Sequence, residues 1–144
     1  PMRGFTRISS EPIMRHDPVE TPRMVVVLDP TLLGVADVTE GVDEDGIILV
    51  NTSSSPADIR KKLNLPEGKY RFFTVDATKI AIDEIGRPIP NTPMIGALIK
   101  ASQILSIDTI YKDIRKKFEK KFSDKMIDGN IKAIERAYNE VKGE

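Results

Sequence analysis

Residues 75–105, VDATKIAIDEIGRPIPNTPMIGALIKASQIL, contain the pattern that decides the fold. The end of an apolar strand leads directly into a short helix, and Gly86 is placed to terminate that helix. The turn RPIP at 87–90 follows, in which each proline disfavours a helical conformation for the residue before it. We therefore predict a strand, a short helix, and a sharply defined start for a second helix.

The second helix begins near Asn91 and Thr92, both of which can cap a helix through their side chains. Pro93 fits the first turn, because the N–H that proline lacks has no helical partner there. The following residues, MIGAL at 94–98, are too apolar for a solvated surface helix. We expect this helix to be covered on both sides, either within the core of the chain or against a partner. Its free N–H groups and positive dipole end should point to whatever lies ahead of the strand ends.

Further apolar runs alternate with helical segments along the chain. The runs MVVVL (24–28), IILV (47–50) and 70–75 do not alternate with polar residues, which is typical of parallel strands covered on both faces. Segments 31–41 and 56–63 read as the connecting helices, the latter capped by Ser55. The predicted fold is α/β, a mainly parallel sheet with helices on both faces.

The two ends of the chain complete this prediction. Residues 3–8 (RGFTRI) alternate between polar and apolar, as a half-exposed strand does. Ser106 and Ser123 are placed to cap helices over 107–122 and 124–141, which predicts a C-terminal helical pair.

Composition narrows the possible functions. The 144 residues predict a single domain over 1–144, and 22 basic residues balance 22 acidic ones, so a polyanionic partner is not favoured. Without cysteine the chain cannot form a disulfide or bind a cluster through thiolates. No run reaches the roughly 18 apolar residues of a membrane span, and a soluble, cytoplasmic protein without nucleic acid or membrane partners is predicted. The high charge content favours a thermophile source.

Polar residues follow three of the predicted strands. Asp29, the row NTSSS at 51–55, and Asp76 stand at strand carboxyl ends, where open parallel sheets bind ligands. The same residue types also cap helices and close turns, and this second interpretation is favoured. His16, in a charged loop, reads as a solvated side chain with no partner for catalysis.

A basic run occupies the predicted helix 107–122 and the turn after it. Its apolar residues share one face, so the cations fall on the outer side, either as a solvated face or as a docking surface for an acidic partner subunit. Nucleic acid is not favoured, because no aromatic residues lie between the exposed charges. The basic residues are Lys112, Arg115, Lys116, Lys117, Lys120, Lys121 and Lys125.

Several runs of the sequence resemble a known family. FTRISSEPI, VVVLDPTLL, DGIILVNTSSS, VDATKIAIDEIGRPIPNTPMIGALIKAS and NIKAIERAYNEVK are similar to the gamma subunit of the pyruvate (2-oxoacid):ferredoxin oxidoreductases. The resemblance covers essentially the whole chain, and IPNTPMIGAL is its most specific part. It implies a Rossmann-like doubly wound fold, α/β with a mainly parallel sheet and helices on both faces. It also implies a subunit of an enzyme that oxidises pyruvate with coenzyme A to acetyl-CoA and CO2, with electrons passing to ferredoxin.

The resemblance also implies the cofactors and partners. Thiamine diphosphate, Mg2+ and iron–sulfur clusters are expected on other subunits, so the isolated chain should bind no cofactor alone and show no activity. Alpha, beta and delta subunits are the expected partners, and contact with ferredoxin is indirect.

Two further expectations depend on the start of the family's sequences. Members carry a strand and a glycine-rich GxGGQG-type turn upstream of the position of Pro1, and without that strand the sheet should have an uncovered seam. For coenzyme A the resemblance points to Asn91 and Thr92, although Asn91 as a mere helix cap is the slightly favoured alternative. A stand-alone Rossmann-like binding or regulatory module is the competing function.

Overall fold

The sheet is built around its second strand. A computed structural model describes residues 2–144, and in it β2 (Ile47–Asn51) is buried along its whole length. Strands β1 (Met24–Val27) and β3 (Arg71–Val75) lie on either side of β2, both parallel to it. A short β4 (Lys142–Gly143) pairs antiparallel with β3, giving the order β1-β2-β3-β4. The prediction of three parallel neighbours in a mainly parallel sheet is confirmed.

Side chains of the central strands point alternately to two separate cores. Leu49 packs with Val75 and Met94 in one core, whereas Ile48 and Val50 belong to the other. Helix α1 (Pro56–Lys62) covers the second core, while α2 (Ala77–Ile85), α3 (Asn91–Ser102) and α5 (Asp124–Glu140) cover the first. The remaining helix, α4 (Ile107–Phe118), lies outside against α5 and α3. Helices therefore cover both faces, as the doubly wound prediction requires.

Most helix ends follow from local residue chemistry. The Ser55 and Ser123 hydroxyls accept hydrogen bonds from the amides of Asp58 (3.2 Å) and Met126 (3.3 Å), which caps α1 and α5 as predicted. Gly86 ends α2 in the left-handed conformation at φ 85°.

Helices α2 and α3 are held in place by close approach to α5. A Cβ added at Gly96 of α3 would overlap the main-chain carbonyl oxygen of Ile134. On the other side, a Cβ at Gly129 would lie 2.6 Å from the carbonyl oxygen of Glu84 in α2. Because both contacts involve backbone atoms, α5 fixes the positions of α2 and α3 relative to each other. The apolar α3 is thereby covered by the sheet and by α5, as predicted.

A buried arginine links the end of the described chain to the opposite face of the sheet. The Arg60 guanidinium is 8% exposed and donates to the carboxylate of Glu144 at 2.6–3.0 Å. Its remaining N–H groups bind the carbonyl oxygens of Pro66, Lys69 and Tyr70 at 2.6–2.7 Å. The hydrogen bond to Glu144 raises the pKa of Arg60. With every donor occupied, Arg60 ties α1, the 63–70 loop and the segment after β4 together.

Three segments differ from the sequence-based predictions. Residues 3–8 form no strand, because no neighbouring strand lies beside them. The predicted helix over 31–41 is wrong: a 3₁₀ turn at Pro30–Leu32 ends before Gly34, whose φ is 88°, and the Asp37 carboxylate closes a separate turn at Thr39. Helix α4 ends at Phe118 rather than 122, and β4 was not predicted.

The described strands leave no gap between them, so the expected uncovered seam does not lie within this set of strands. All four described strands follow one another in hydrogen-bonded order. Exposure occurs instead on one face of the edge strand, where Val26 is 37% exposed and Leu28, just after it, 42%. The prediction that residues 24–28 are covered on both faces is therefore wrong for β1, because α3 lies over β2 and β3.

Candidate functional site

The carboxyl ends of the strands are joined by the side chain of Asn51. Its amide nitrogen donates to the carbonyl oxygen of Leu28 at 2.9 Å and to the hydroxyl of Thr78 at 2.8 Å. Its amide oxygen accepts from the main-chain nitrogens of Ala77 at 3.0 Å and Thr78 at 3.3 Å. Asn51 is 4% exposed. All the hydrogen-bonding capacity of this amide is thus used to connect the end of β1 and the start of α2 to β2.

The other polar residues at the strand ends are likewise engaged locally. Asp29 accepts from the amide and the hydroxyl of Thr31 at 2.9 and 2.7 Å, and the hydroxyl bond in particular lowers the pKa of Asp29. Asp76 caps α2 by accepting from the amide of Lys79 at 3.2 Å. The hydroxyl of Thr52 accepts from the amide of Ser54 at 3.2 Å. This arrangement favours the interpretation of these residues as caps and turns.

The start of α3 is organised differently. Pro90 occupies the N-cap position, Asn91 is the first helical residue, and no side chain caps the helix. The prediction that Asn91 or Thr92 caps α3 is therefore wrong, because the proline turn places both residues inside the first turn. Asn91 is exposed and Thr92 half-buried, and their side chains take part in no hydrogen bond recorded for residues 2–144. The polar groups of this turn face solvent.

The charges near this helix start favour an anion. The amides of Asn91 and Thr92 stand at the positive end of the α3 dipole, where N–H groups lack helical partners. Arg87, in the turn just before, is exposed and forms no ion pair with any described residue. Ile89 lies between them and is 43% exposed. The combination of N–H donors, a cation and an apolar side chain suits a ligand that carries phosphate and amide groups.

The structure does not connect the residues predicted at the start of α3 with those predicted at the strand ends. Within the described part of the chain, no hydrogen bond connects Asn91 or Thr92 with Asp29, Asn51 or Asp76. Sequence reasoning missed Thr78, whose hydroxyl and amide both bind Asn51. Its only sequence signal is a hydroxyl in the first turn of a helix that follows a strand. His16 is exposed, as predicted.

The donor set does not fit a resident metal centre. The sequence has no cysteine, and residues 2–144 contain no group of three or more His, Asp or Glu side chains placed to hold a metal ion. The same residues include no helix with the length and apolar character needed to cross a bilayer.

Comparison with known sequences places the chain in a family. Residues 1–140 match the family model described as pyruvate ferredoxin/flavodoxin oxidoreductase. Pyruvate synthase subunit PorC of Thermotoga maritima is 49% identical over 142 residues, which are 99% of this chain and 72% of that protein. The common gamma subunit of the pyruvate/ketoisovalerate oxidoreductases of Thermococcus kodakarensis is 39% identical, over 98% of this chain and 73% of its own length.

Solved structures agree with this placement. The crystal structure of the Thermotoga maritima PORC subunit superposes with a TM-score of 0.77 at 46% identity, covering 87% of this chain and 66% of that one. A keto/oxoacid ferredoxin oxidoreductase gamma subunit from Geobacter sulfurreducens, at 17% identity, shares the fold with a TM-score of 0.64 over 92% and 66% of the two chains. The chain thus spans about two thirds to three quarters of these relatives. Family model, sequence relatives and fold agree, and the chain belongs to the pyruvate ferredoxin/flavodoxin oxidoreductase family as a gamma-type subunit.

Proposed function

We propose that this chain works within a multi-subunit enzyme that oxidises pyruvate. The main support for this proposal is the 49% identity of the chain, over almost its full length, with a protein named as a pyruvate synthase subunit. In the proposed reaction, the carbon–carbon bond between the carbonyl and the carboxylate of pyruvate breaks and CO2 leaves. The acetyl group forms a thioester with the sulfur of coenzyme A. The thiol proton is released and two electrons pass to ferredoxin.

This chain supplies binding surface to the reaction rather than the redox groups. Without cysteine it offers no thiolate for an iron–sulfur cluster. We assign thiamine diphosphate, Mg2+ and the iron–sulfur clusters to the alpha, beta and delta subunits. The contact with ferredoxin is assigned to those subunits as well. Thiamine diphosphate supplies stabilisation of the carbanion left by decarboxylation.

Within that complex, the first turn of α3 is the proposed contact to coenzyme A. A phosphate can be bound by the main-chain N–H groups of Asn91 and Thr92 together with the Arg87 guanidinium. The side-chain amide of Asn91 can donate a hydrogen bond to a second polar group of the ligand. Two observations support the assignment: these side chains have no hydrogen-bonding role among residues 2–144, and RPIP stiffens the backbone so that binding orders little.

The complex can be tested by isolating it through this chain. A tag on this chain should recover the other subunits, and the eluate should reduce ferredoxin only when pyruvate and coenzyme A are both present. Recovery of this chain by itself, without partner subunits or activity, would favour the stand-alone binding module, which the subunit names of its relatives do not support. A panel of 2-oxoacids then identifies the preferred substrate.

A further inference from the structure

The outer surface of α4, of the turn that follows it and of the first turn of α5 carries a concentrated positive charge. Between residues 115 and 125 there are six cations and two carboxylates, a local excess of four charges in a chain whose total is zero. All six cations are exposed. We call this the basic surface; its members are Arg115, Lys116, Lys117, Lys120, Lys121 and Lys125.

Where α2 meets α5, cations and carboxylates are paired, whereas most cations of the basic surface are not. On α2 and α5, Lys79 lies 2.9 Å from Asp83, and Arg136 lies 3.1 Å from Asp83 and 2.7 Å from Glu140. On the basic surface, Arg115 meets Asp128 at 3.3 Å, and the five lysines are within 4 Å of no carboxylate among the described residues. Lysines near the C-terminus of a helix interact favourably with the negative end of its dipole, but only within the last turn. This effect accounts for Lys116 and Lys117, and it leaves Lys120, Lys121 and Lys125 unexplained.

The helix beneath this charge is attached to the protein without being buried in it. No residue of α4 is fully buried, and its apolar side packs against α5 and α3 with half-covered side chains. Apolar groups remain exposed near both of its ends. Leu105 is 46% exposed, and Phe122, whose ring is tilted against that of Phe118 with 4.9 Å between the ring centroids, is 42% exposed. Exposed apolar groups rimmed by polar and charged side chains are a sign of an interaction site.

We propose that the basic surface docks this chain onto an acidic surface of another subunit of its oxidoreductase. The proposal rests on the proposed function, because a partner subunit is required. Charge complementarity identifies the occupant: a surface with an excess of four positive charges is matched by an excess of carboxylates, and long-range attraction then speeds and orients assembly. A protein partner is favoured over nucleic acid because the exposed aromatic here is a single phenylalanine at the edge.

A charge-reversal pair with a matched control tests the docking. Lys116→Glu/Lys117→Glu reverses two neighbouring lysines in the last turn of α4, and Lys61→Glu/Lys62→Glu makes the same change in the last turn of α1, which lies on the other face of the sheet. All four lysines are exposed, so both pairs should keep the fold, which circular dichroism can verify. The dissociation constant between each variant and the remaining subunits is measured at low and at high salt.

The α4 pair should weaken assembly about tenfold or more at low salt, with a smaller effect at high salt, and the α1 pair should leave it within about twofold. Unchanged affinity of the α4 variant, or an equal loss in the control, would overturn the docking surface. So would lysine-dependent binding to anionic vesicles, to duplex DNA or to a second copy of this chain while subunit assembly stays intact. Failure of the unmodified chain to join any subunit counts instead against the proposed function.

Discussion

Two asparagines, one at the end of β2 and one at the start of α3, show how differently the same side chain can be placed. Asn51, beside the start of α2, is 4% exposed, and its amide makes four hydrogen bonds that connect β1, β2 and α2. Asn91, the first residue of α3, is exposed, and its side chain binds nothing else among residues 2–144. In the first region, therefore, stability depends on the amide, and in the second the amide is available to a ligand. Residue type at a helix start does not distinguish these roles; the surrounding chain does.

The largest effect is expected when the buried amide is removed. Asn51→Ala loses all four hydrogen bonds and leaves the carbonyl oxygen of Leu28 and the amide of Ala77 without their partner. We expect the free energy of unfolding to fall by about 3 kcal/mol, because each unsatisfied buried group costs roughly 1–3 kcal/mol. Urea denaturation measures the change. Asn91→Ala, the matched control, should stay within about 0.5 kcal/mol, and equal losses in the two variants would break the comparison.

A smaller effect should follow from separating α3 from α5. Gly96→Ala places a methyl group against the carbonyl oxygen of Ile134, so the helices must move apart and Asn91 moves with α3. We expect a loss of about 2 kcal/mol, in the range of overpacked interiors. Thermal unfolding provides the measurement, with Gly4→Ala as control, since a Cβ there meets no atom within 4 Å. A stable Gly96→Ala variant would show that α5 does not position the start of α3.

The smallest effect concerns the charges that link α2 to α5, and it depends on pH. The hydrogen bond from Lys79, followed by that from Arg136, lowers the pKa of Asp83 below its ordinary value of 3.8. The stabilisation by this carboxylate is therefore fully present above pH 3.8 and is lost as pH falls through the lower folded-state pKa. Asp83→Asn should have a lower Tm than the unmodified chain at pH 7, and the difference should disappear in strong acid. Asp113→Asn, which removes an exposed carboxylate that forms no ion pair with residues 2–144, should show no such convergence.

The elements that could be predicted from sequence are those fixed by local chemistry. Apolar runs identified β1, β2 and β3, and Ser55, Ser123 and Gly86 marked the ends of helices because each acts within a few residues of itself. The alternating pattern of residues 3–8 was not sufficient, since a strand also needs a neighbour. Strand β4 consists of Lys142 and Gly143, which have no strand pattern, and its pairing depends on where α5 ends.

The site was less predictable for the same reason. The partners of Asn51 come from Leu28 and Thr78, 23 and 27 residues away, so no local pattern announces them. The prediction of an Asn91 cap was wrong because Pro90 takes the N-cap position, which makes Asn91 the first residue inside the helix. Residues this far apart in the sequence come into contact only in the folded chain.

The most direct test of the proposed role of α3 is the dependence of the assembled enzyme on coenzyme A. Asn91→Asp keeps the size of the side chain and suits the positive end of the helix, so the stability of the chain should hold or rise slightly. A carboxylate cannot donate a hydrogen bond and repels phosphate, so the KM for coenzyme A should rise about tenfold, which corresponds to roughly 1.4 kcal/mol. The KM for pyruvate should change little, and Asn139→Asp on α5 is the control for added negative charge. If both KM values of Asn91→Asp remain at those of the unmodified enzyme, the first turn of α3 does not contact coenzyme A and the account is wrong at its centre.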